Sequence, residues 1–94
     1  MYYMSTKEKI LEEESTMTDT VHENEIILHN DDVNTFEHVI KTLIEVCDHS
    51  AEQAEQCSLI VHYKGKCGVK SGPISDLKPR CTKLLQAGLS AEIT

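Results

Sequence analysis

A short apolar run, followed by a polar loop and then by a helical pattern, restricts the fold of this chain more than any other feature. The segment from Glu25 to His29 contains Ile26-Ile27-Leu28, which is short, apolar and β-branched and therefore predicts a buried strand. Directly after it comes Asn30-Asp31-Asp32. These side chains favour a turn because Asn and Asp bond to their own backbone, but ionised carboxylates could also accept bonds from a cation or an ammonium group.

The helical pattern after this loop has a clear start and a clear end. Asn34 is predicted to be the N-cap, with Glu37 three residues later as in a capping box. Apolar residues then recur at spacings of three and four, which gives the helix one apolar face. They are Phe36, Val39, Ile40, Leu43, Ile44 and Cys47. Asp48 and His49 break the pattern, so we expect the helix to end there.

A second helix and a second strand follow. Ser50, with Gln53 three residues later, predicts the start of a helix that ends at Gly65. The residues that this helix is expected to bury are Ala54, Cys57, Ser58 and Val61. The alternating segment from Lys66 to Lys70 predicts a strand, and Ser71-Gly72-Pro73 predicts a turn.

The last part of the chain predicts a third helix and a third strand. Asp76 as a cap and Gly88 as a stop predict a helix from Leu77 to Ala87, with Pro79 in its first turn. The alternating apolar residues of the last strand are Leu89, Ala91 and Ile93. The order β-α-α-β-α-β predicts an α+β fold, in which three helices pack on a small three-stranded antiparallel sheet.

Size, charge and hydropathy exclude several classes of function. The chain has 94 residues and a formal net charge of −7, so its surface would repel the phosphates of nucleic acid. No apolar run is long enough to span a bilayer, and no signal peptide is visible, so we expect a cytoplasmic protein without membrane contact. Residues 1–24 are acidic and polar and predict a flexible extension before a domain of residues 25–94. Nothing indicates an obligate oligomer, and we expect a monomer.

The four cysteines could be disulfide partners, zinc ligands or small apolar core residues. They are scattered through the chain at Cys47, Cys57, Cys67 and Cys81, without a CxxC pair. A zinc site could use Cys47, His49, Cys57 and His62, but only the first two have the close spacing of structural zinc ligands. We therefore expect thiols that act as small apolar side chains in a reducing compartment, with no metal and no other cofactor.

A catalytic function has little support. The sequence has no supported Ser-His-Asp or Cys-His constellation and no Gly-rich phosphate loop. Asp31 and Asp32 could be a pair of acid/base carboxylates, but adjacent side chains point in different directions. A calcium loop would need ligands at alternate positions over about twelve residues with a central Gly. We expect a binding protein and not an enzyme.

Three segments of the chain carry a family resemblance: Ile26 to Asp32, Phe36-Glu37-His38-Val39 and Val61 to Lys66. Together they resemble the ClpS family. ClpS proteins are adaptors that select substrates by an N-degron, a destabilising N-terminal residue, for a Clp AAA+ unfoldase and its protease. The resemblance covers residues 24–94, implies the same β-α-α-β-α-β fold, and implies a Clp-type AAA+ unfoldase and N-degron peptides or proteins as partners.

The resemblance also implies a site for the free N-terminal residue of a substrate, which in this family is usually Leu, Phe, Tyr or Trp. Asn30, Asp31 and His62 would bind the α-ammonium group. Charge-assisted hydrogen bonds of this kind contribute about 1.5–3 kcal/mol each. Asp32 and Asn34 would shape the loop beside them. The residues expected to form a hydrophobic pocket for the side chain are Leu28, Phe36, Val39, Ser58, Val61 and Leu89.

Several of these positions have simpler interpretations or depart from the family pattern. His62 could cap its own helix or lie exposed, and Phe36 and Val39 could be ordinary core residues. Phe36 stands where the resemblance implies a flexible Met, and Ser58 stands where it implies an apolar residue. Lys78 would match a basic residue that contacts the unfoldase. The alternative function is a small protein–protein interaction domain of the same fold that does not recognise free N-termini.

Overall fold

The computed structural model describes residues 23–94, which form a three-stranded antiparallel sheet and three helices. The elements are β1 (Asn24–His29), α1 (Phe36–Cys47), α2 (Ala51–Lys64), β2 (Lys66–Gly72), α3 (Ile74–Gln86) and β3 (Ser90–Ile93). This order and the α+β fold confirm the prediction from the sequence. The predicted extension of residues 1–24 lies outside the described residues, except for its last two. None of the helices in residues 23–94 is both long and apolar enough to cross a membrane.

The central strand of the sheet is β1, which pairs antiparallel with β2 on one side and with β3 on the other. Its last residue, His29, lies opposite Lys66 and Ser90, the first residues of the two neighbouring strands. The loop that follows β1 therefore lies beside the connections that lead into β2 and β3. Three loops from distant parts of the sequence meet at this end of the sheet.

The core is an apolar cluster to which all three helices and the sheet contribute. Ile26 and Leu28 are buried and alternate with more exposed neighbours, as expected for a strand with one face on the core. The largest fully buried side chains are Ile26, Leu28, Leu43, Leu77, Leu84 and Cys47. Burying a Leu or Ile side chain contributes about 1.5–3 kcal/mol, so this cluster is the main source of stability.

The apolar face of α1 is buried only in part. Leu43 and Cys47 are buried as predicted, whereas Phe36 and Ile44 remain 44% and 38% exposed. The sequence predicted one apolar face for this helix, and the structure places only part of that face in the core. The first turn of α1 projects beyond the core at the end of the sheet where the loops meet.

The cysteines behave as small core residues. Cys47, Cys57 and Cys81 are buried, Cys67 is half-buried, and all four have free thiols. Burial raises the pKa of Cys47 to about 11 and that of Cys57 to about 12. Both thiols therefore stay protonated at neutral pH and pack as small apolar groups.

The zinc alternative is not assembled by the fold. Within residues 23–94, no three His, Cys, Asp or Glu side chains are grouped so that they could hold a metal ion. His49 is buried and donates a hydrogen bond from Nε2 to the carbonyl of Val69, at 2.6 Å. Val69 has no partner on β1 because a β-bulge interrupts the register there. His49 therefore ties the α1–α2 connection to the bulge in β2.

Of the four predicted ends of α1 and α2, the start of α1 is wrong and the other three are correct, including the end of α1 before Asp48. The N-cap of α1 is Thr35 and not Asn34, because the Thr35 hydroxyl accepts a hydrogen bond from the amide of His38 at 3.1 Å. The side chain of Asn34 is bonded elsewhere, as described below. Ser50 caps the start of α2 and Gly65 ends it, with φ +94°, as the sequence predicted.

The third helix is longer than the sequence predicted. It begins at Ile74, three residues earlier, and Asp76 lies in its first turn instead of capping it. Pro79 is consequently in the helix interior. The predicted start of α3 was wrong because β2 continues to Gly72, so that only Pro73 separates the strand from the helix. Pro73 occupies the extended N-cap position with φ −70°, a value that its ring favours.

Arg80 joins α3 to the C-terminal end of α1. Its Nε donates to the carboxylate of Asp76, and its Nη1 donates to the carbonyl of Val46 at 2.6 Å and to Asp48 at 3.0 Å. The Asp48 side chain is 66% exposed, so this ion pair contributes little. Val46 provides one of the last carbonyls of α1, which have no donor within the helix, so its bond to Arg80 contributes more.

Replacing Arg80 by Met is expected to lower the free energy of unfolding by about 1–3 kcal/mol, because the Val46 carbonyl and the Asp76 carboxylate lose their donor. Denaturant titration of both proteins measures the change. Lys78→Met is the matched control, since Lys78 is an exposed cation on the same helix and should change stability by less than about 0.5 kcal/mol. Equal losses in the two variants would contradict the role of Arg80.

Candidate functional site

A pocket lies at the end of the sheet where the three loops meet. Its empty volume, including the open mouth, is about 420 Å³. It is surrounded by residues from β1 and the loop after it, from the start of α1, from α2 and from the connection before β3. They are Leu28, His29, Asn30, Asp31, Asn34, Phe36, Val39, Ser58, Val61, His62 and Leu89.

The fold brings almost all of the predicted site residues together. Every one of them lines the pocket except Asp32, which is exposed beside it, and Lys78, which is exposed on α3. Their roles in binding stay predictions. His29 also lines the pocket and was not predicted, since the sequence shows only a strand residue there. Its Nε2 lies 2.6 Å from the carboxylate of Glu92, which joins β1 to β3 beside the pocket.

Burial divides the lining into an inner wall and a rim. We call Leu28, Ser58, Val61 and Leu89 the inner wall, because each is less than 10% exposed. We call Asn30, Phe36 and His62 the rim, because all three are exposed to solvent. The inner wall is apolar apart from the hydroxyl of Ser58, whereas the rim carries hydrogen-bonding groups.

The two polar residues of the rim come from different elements that are held side by side. The backbone amide of Asn30 donates to the carbonyl of Gly65 at 2.9 Å, which fixes the end of β1 against the end of α2. His62 lies in the last turn of α2, and its ring packs against Phe36 at 5.3 Å and Tyr63 at 4.8 Å between centroids. The Asn30 amide oxygen and the His62 imidazole therefore offer two acceptors on one rim.

Asp31 organises the loop after β1. Its Oδ1 accepts from the backbone amides of Val33 at 2.9 Å and Asn34 at 3.0 Å, and both of its oxygens accept from Nδ2 of Asn34. Burial of Asp31 acts to raise its pKa, but these hydrogen bonds outweigh burial and hold the pKa below its usual value. Asp31 is therefore an anion beside the pocket, although its own loop already uses much of its accepting capacity.

Two side chains tie this loop and α1 to the connection before β3. Nδ2 of Asn34 donates to the carbonyl of Gly88 at 2.9 Å, and Nε2 of His38 donates to the carbonyl of Ala87 at 2.8 Å. Both carbonyls immediately precede Leu89 of the inner wall. These bonds explain why Asn34 does not cap α1, and they fix the position of one side of the pocket.

The charges around the pocket suit a cation at the rim and an apolar group inside. The carboxylate of Asp31 and the two rim acceptors would interact favourably with a positively charged group. The C-terminal end of α2, which carries partial negative charge, also lies at the rim. The inner wall can bury an apolar group that is attached to such a cation.

Comparison with known protein families identifies the family to which this chain belongs. Residues 19–92 match the family described as ATP-dependent Clp protease adaptor protein ClpS. The chain belongs to the ClpS family. The resemblance inferred from the three short segments of the sequence is thereby confirmed.

Individual ClpS adapters are similar to this chain over part of their length. The adapter of Nitratidesulfovibrio vulgaris strain Miyazaki F is 40% identical over 55 residues, which is 56% of this chain and 55% of that protein. The adapter of Vibrio atlanticus is 35% identical over 71 residues, which is 73% of this chain and 67% of that protein. The chain thus spans about half the length of the first relative and about two thirds of the second.

A solved structure has the same fold. The structure of Agrobacterium tumefaciens ClpS2 bound to L-phenylalaninamide matches with a TM-score of 0.65 and 20% sequence identity. The match covers 77% of this chain and 94% of that chain. At this identity, the likeness establishes that the two chains share the ClpS fold.

Asp31→Asn is expected to destabilise the domain in a pH-dependent way. At neutral pH an Asn side chain cannot accept as many hydrogen bonds as the carboxylate, so the free energy of unfolding should fall by about 0.5–1.5 kcal/mol for each bond lost. Because the folded-state pKa of Asp31 is depressed, its contribution is fully present above the unfolded-state pKa and is lost as the pH falls through the folded-state pKa.

The difference in stability between the two proteins should therefore be largest near pH 7 and should shrink below about pH 4. Urea titrations across this range measure it. Asp32→Asn removes the neighbouring exposed carboxylate and is the control. A difference for Asp31→Asn that does not vary with pH would argue against an ionised Asp31 as the organiser of the loop.

Proposed function

We propose that this chain is an adaptor which binds proteins with a bulky hydrophobic N-terminal residue and delivers them to a Clp-type AAA+ unfoldase. The observation that carries the proposal is the pocket at the end of β1, with its apolar inner wall and its polar rim. An N-terminal residue carries an ammonium group and a side chain on the same carbon atom. A pocket that pairs acceptors with an apolar interior suits both groups at once.

The ammonium group is proposed to bind at the rim. Asn30 and His62 accept hydrogen bonds from it, and Asp31 adds negative charge from the adjacent loop. Each charge-assisted bond contributes about 1.5–3 kcal/mol, and burial of the side chain contributes about as much again. After the cost of association, an affinity on the order of micromolar is expected.

The comparisons support the choice of ligand and of partner. Membership of the ClpS family supports a Clp protease system as the destination of the bound substrate. L-phenylalaninamide, the ligand of the ClpS2 structure, combines a free α-amine with an aromatic side chain, as the proposed ligand does. Lys78 is exposed on α3 and outside the pocket, and it is the proposed contact with the unfoldase.

A second candidate is an interaction domain of the same fold that does not recognise free N-termini. The packing of Phe36 on His62 favours this candidate, because it places an aromatic ring at the rim where the family resemblance implies a flexible Met. In this case a partner would bind the pocket without an ammonium group.

Peptides that begin with Phe, Leu, Tyr or Trp are expected to bind with an affinity on the order of micromolar. N-acetylation of these peptides should lower that affinity at least about tenfold. Acetylation removes the charge while it leaves the side chain unchanged, so the loss isolates the contribution of the rim. Fluorescence anisotropy of labelled peptides measures both affinities. Equal binding of free and acetylated peptides would reject the adaptor function in favour of the second candidate.

His62→Ala is expected to weaken binding of the free peptides by about tenfold, because one acceptor of the ammonium group is lost. The melting temperature should stay almost unchanged, since His62 is exposed. Gln56→Ala removes an exposed polar side chain of the same helix, which does not line the pocket, and is the control. If His62→Ala binds as well as the unchanged protein, His62 is not an acceptor for the ligand.

A further inference from the structure

We propose that Ser58 makes this pocket select N-terminal residues whose ring carries a hydrogen-bond donor, and Tyr above all. The inference rests on the proposed function, because it concerns the side chain that enters the same pocket. It names which of the bulky N-terminal residues this chain prefers.

Ser58 is the polar member of the inner wall. It is 3% exposed, and the other members of the inner wall, Leu28, Val61 and Leu89, are apolar. Its hydroxyl donates to the carbonyl of Ala54, four residues earlier in α2, at 2.8 Å. A hydroxyl has one proton and two lone pairs, so this bond uses the proton and leaves the oxygen as an acceptor. The pocket therefore presents one acceptor within an apolar surface.

This acceptor distinguishes Tyr from Phe, which differ by a single hydroxyl group. The Tyr hydroxyl must leave water to enter the pocket, and this transfer is unfavourable unless a new hydrogen bond replaces the lost ones. Ser58 can accept that bond, whereas Phe leaves its oxygen without a partner. A site that is built to bond a substrate hydroxyl discriminates against the analogue that lacks it. The indole of Trp also carries a donor, and Leu carries none.

A simpler interpretation gives Ser58 no role in selection. Buried Ser residues in helices often donate to the carbonyl four residues earlier, which satisfies the hydroxyl without a ligand. Ser58 would then only be a small residue that leaves space in the pocket. Under this interpretation Tyr has no advantage over Phe and is disfavoured by the loss of water from its hydroxyl, so their affinity ratio separates the two interpretations.

The test is a cycle of two proteins and two peptides. The full chain and its Ser58→Ala variant are titrated with two peptides that differ only in an N-terminal Tyr or Phe, together with their N-acetylated copies. For the unchanged chain, the Tyr peptide should bind about 2- to 12-fold tighter, as expected for one net hydrogen bond. In Ser58→Ala this preference should disappear or reverse, because the Tyr hydroxyl then has no partner in the pocket, while Phe affinity changes less than about twofold.

Two further variants control for packing. Ser58→Thr keeps the hydroxyl and should keep the preference for Tyr, even where its extra methyl group weakens both peptides. Ser75→Ala removes an exposed hydroxyl on α3 and should leave the ratio unchanged.

The outcomes separate this inference from the proposed function. A Tyr peptide that binds the unchanged chain no tighter than the Phe peptide, or an identical ratio in Ser58→Ala, overturns the role of Ser58. If acetylation still abolishes binding in that case, the adaptor function stands. If neither peptide binds, or if acetylated copies bind equally well, the adaptor function and the inference both fail.

Discussion

The antiparallel pairing of β1 with two neighbours is the interaction on which the rest of this structure depends. Both neighbouring strands begin where β1 ends, so the ends of α2 and α3 are brought to the loop that follows β1. Burial of Ile26 and Leu28 fixes the register, because a slip by one residue would turn them towards solvent. The same burial that stabilises the sheet therefore positions the pocket.

The polar residues around the pocket divide into those that are bonded within the fold and those whose side chains are exposed at the rim. Asp31, Asn34 and His38 are bonded to the loop and to the connection before β3. Asn30 and His62 keep their side-chain acceptors at the rim. A network that is bonded without a ligand would reduce the entropic cost of binding at the proposed site.

The residues that depart from the family pattern occupy two different depths of the pocket. Phe36 is exposed on the rim and packs on His62. Ser58 is buried in the inner wall, where it is proposed to select the side chain of the ligand. Lys78 lies on α3 and does not line the pocket, so the proposed unfoldase contact is not part of the proposed substrate site.

Local patterns in the sequence determined the order of the elements and the caps of α2, because periodicity, Ser50 and Gly65 act on residues close to them in the chain. The role of Asn34 was decided only by tertiary structure, since Asn34 bonds to Gly88, 54 residues away. The start of α3 was decided by the pairing of β2 with β1 as far as Gly72. Most pocket residues were predicted through the family resemblance and not from spacing, and His29 gave no local signal. A pocket joins groups that are distant in sequence, and only the pairing of β1 with its two neighbours brings them together.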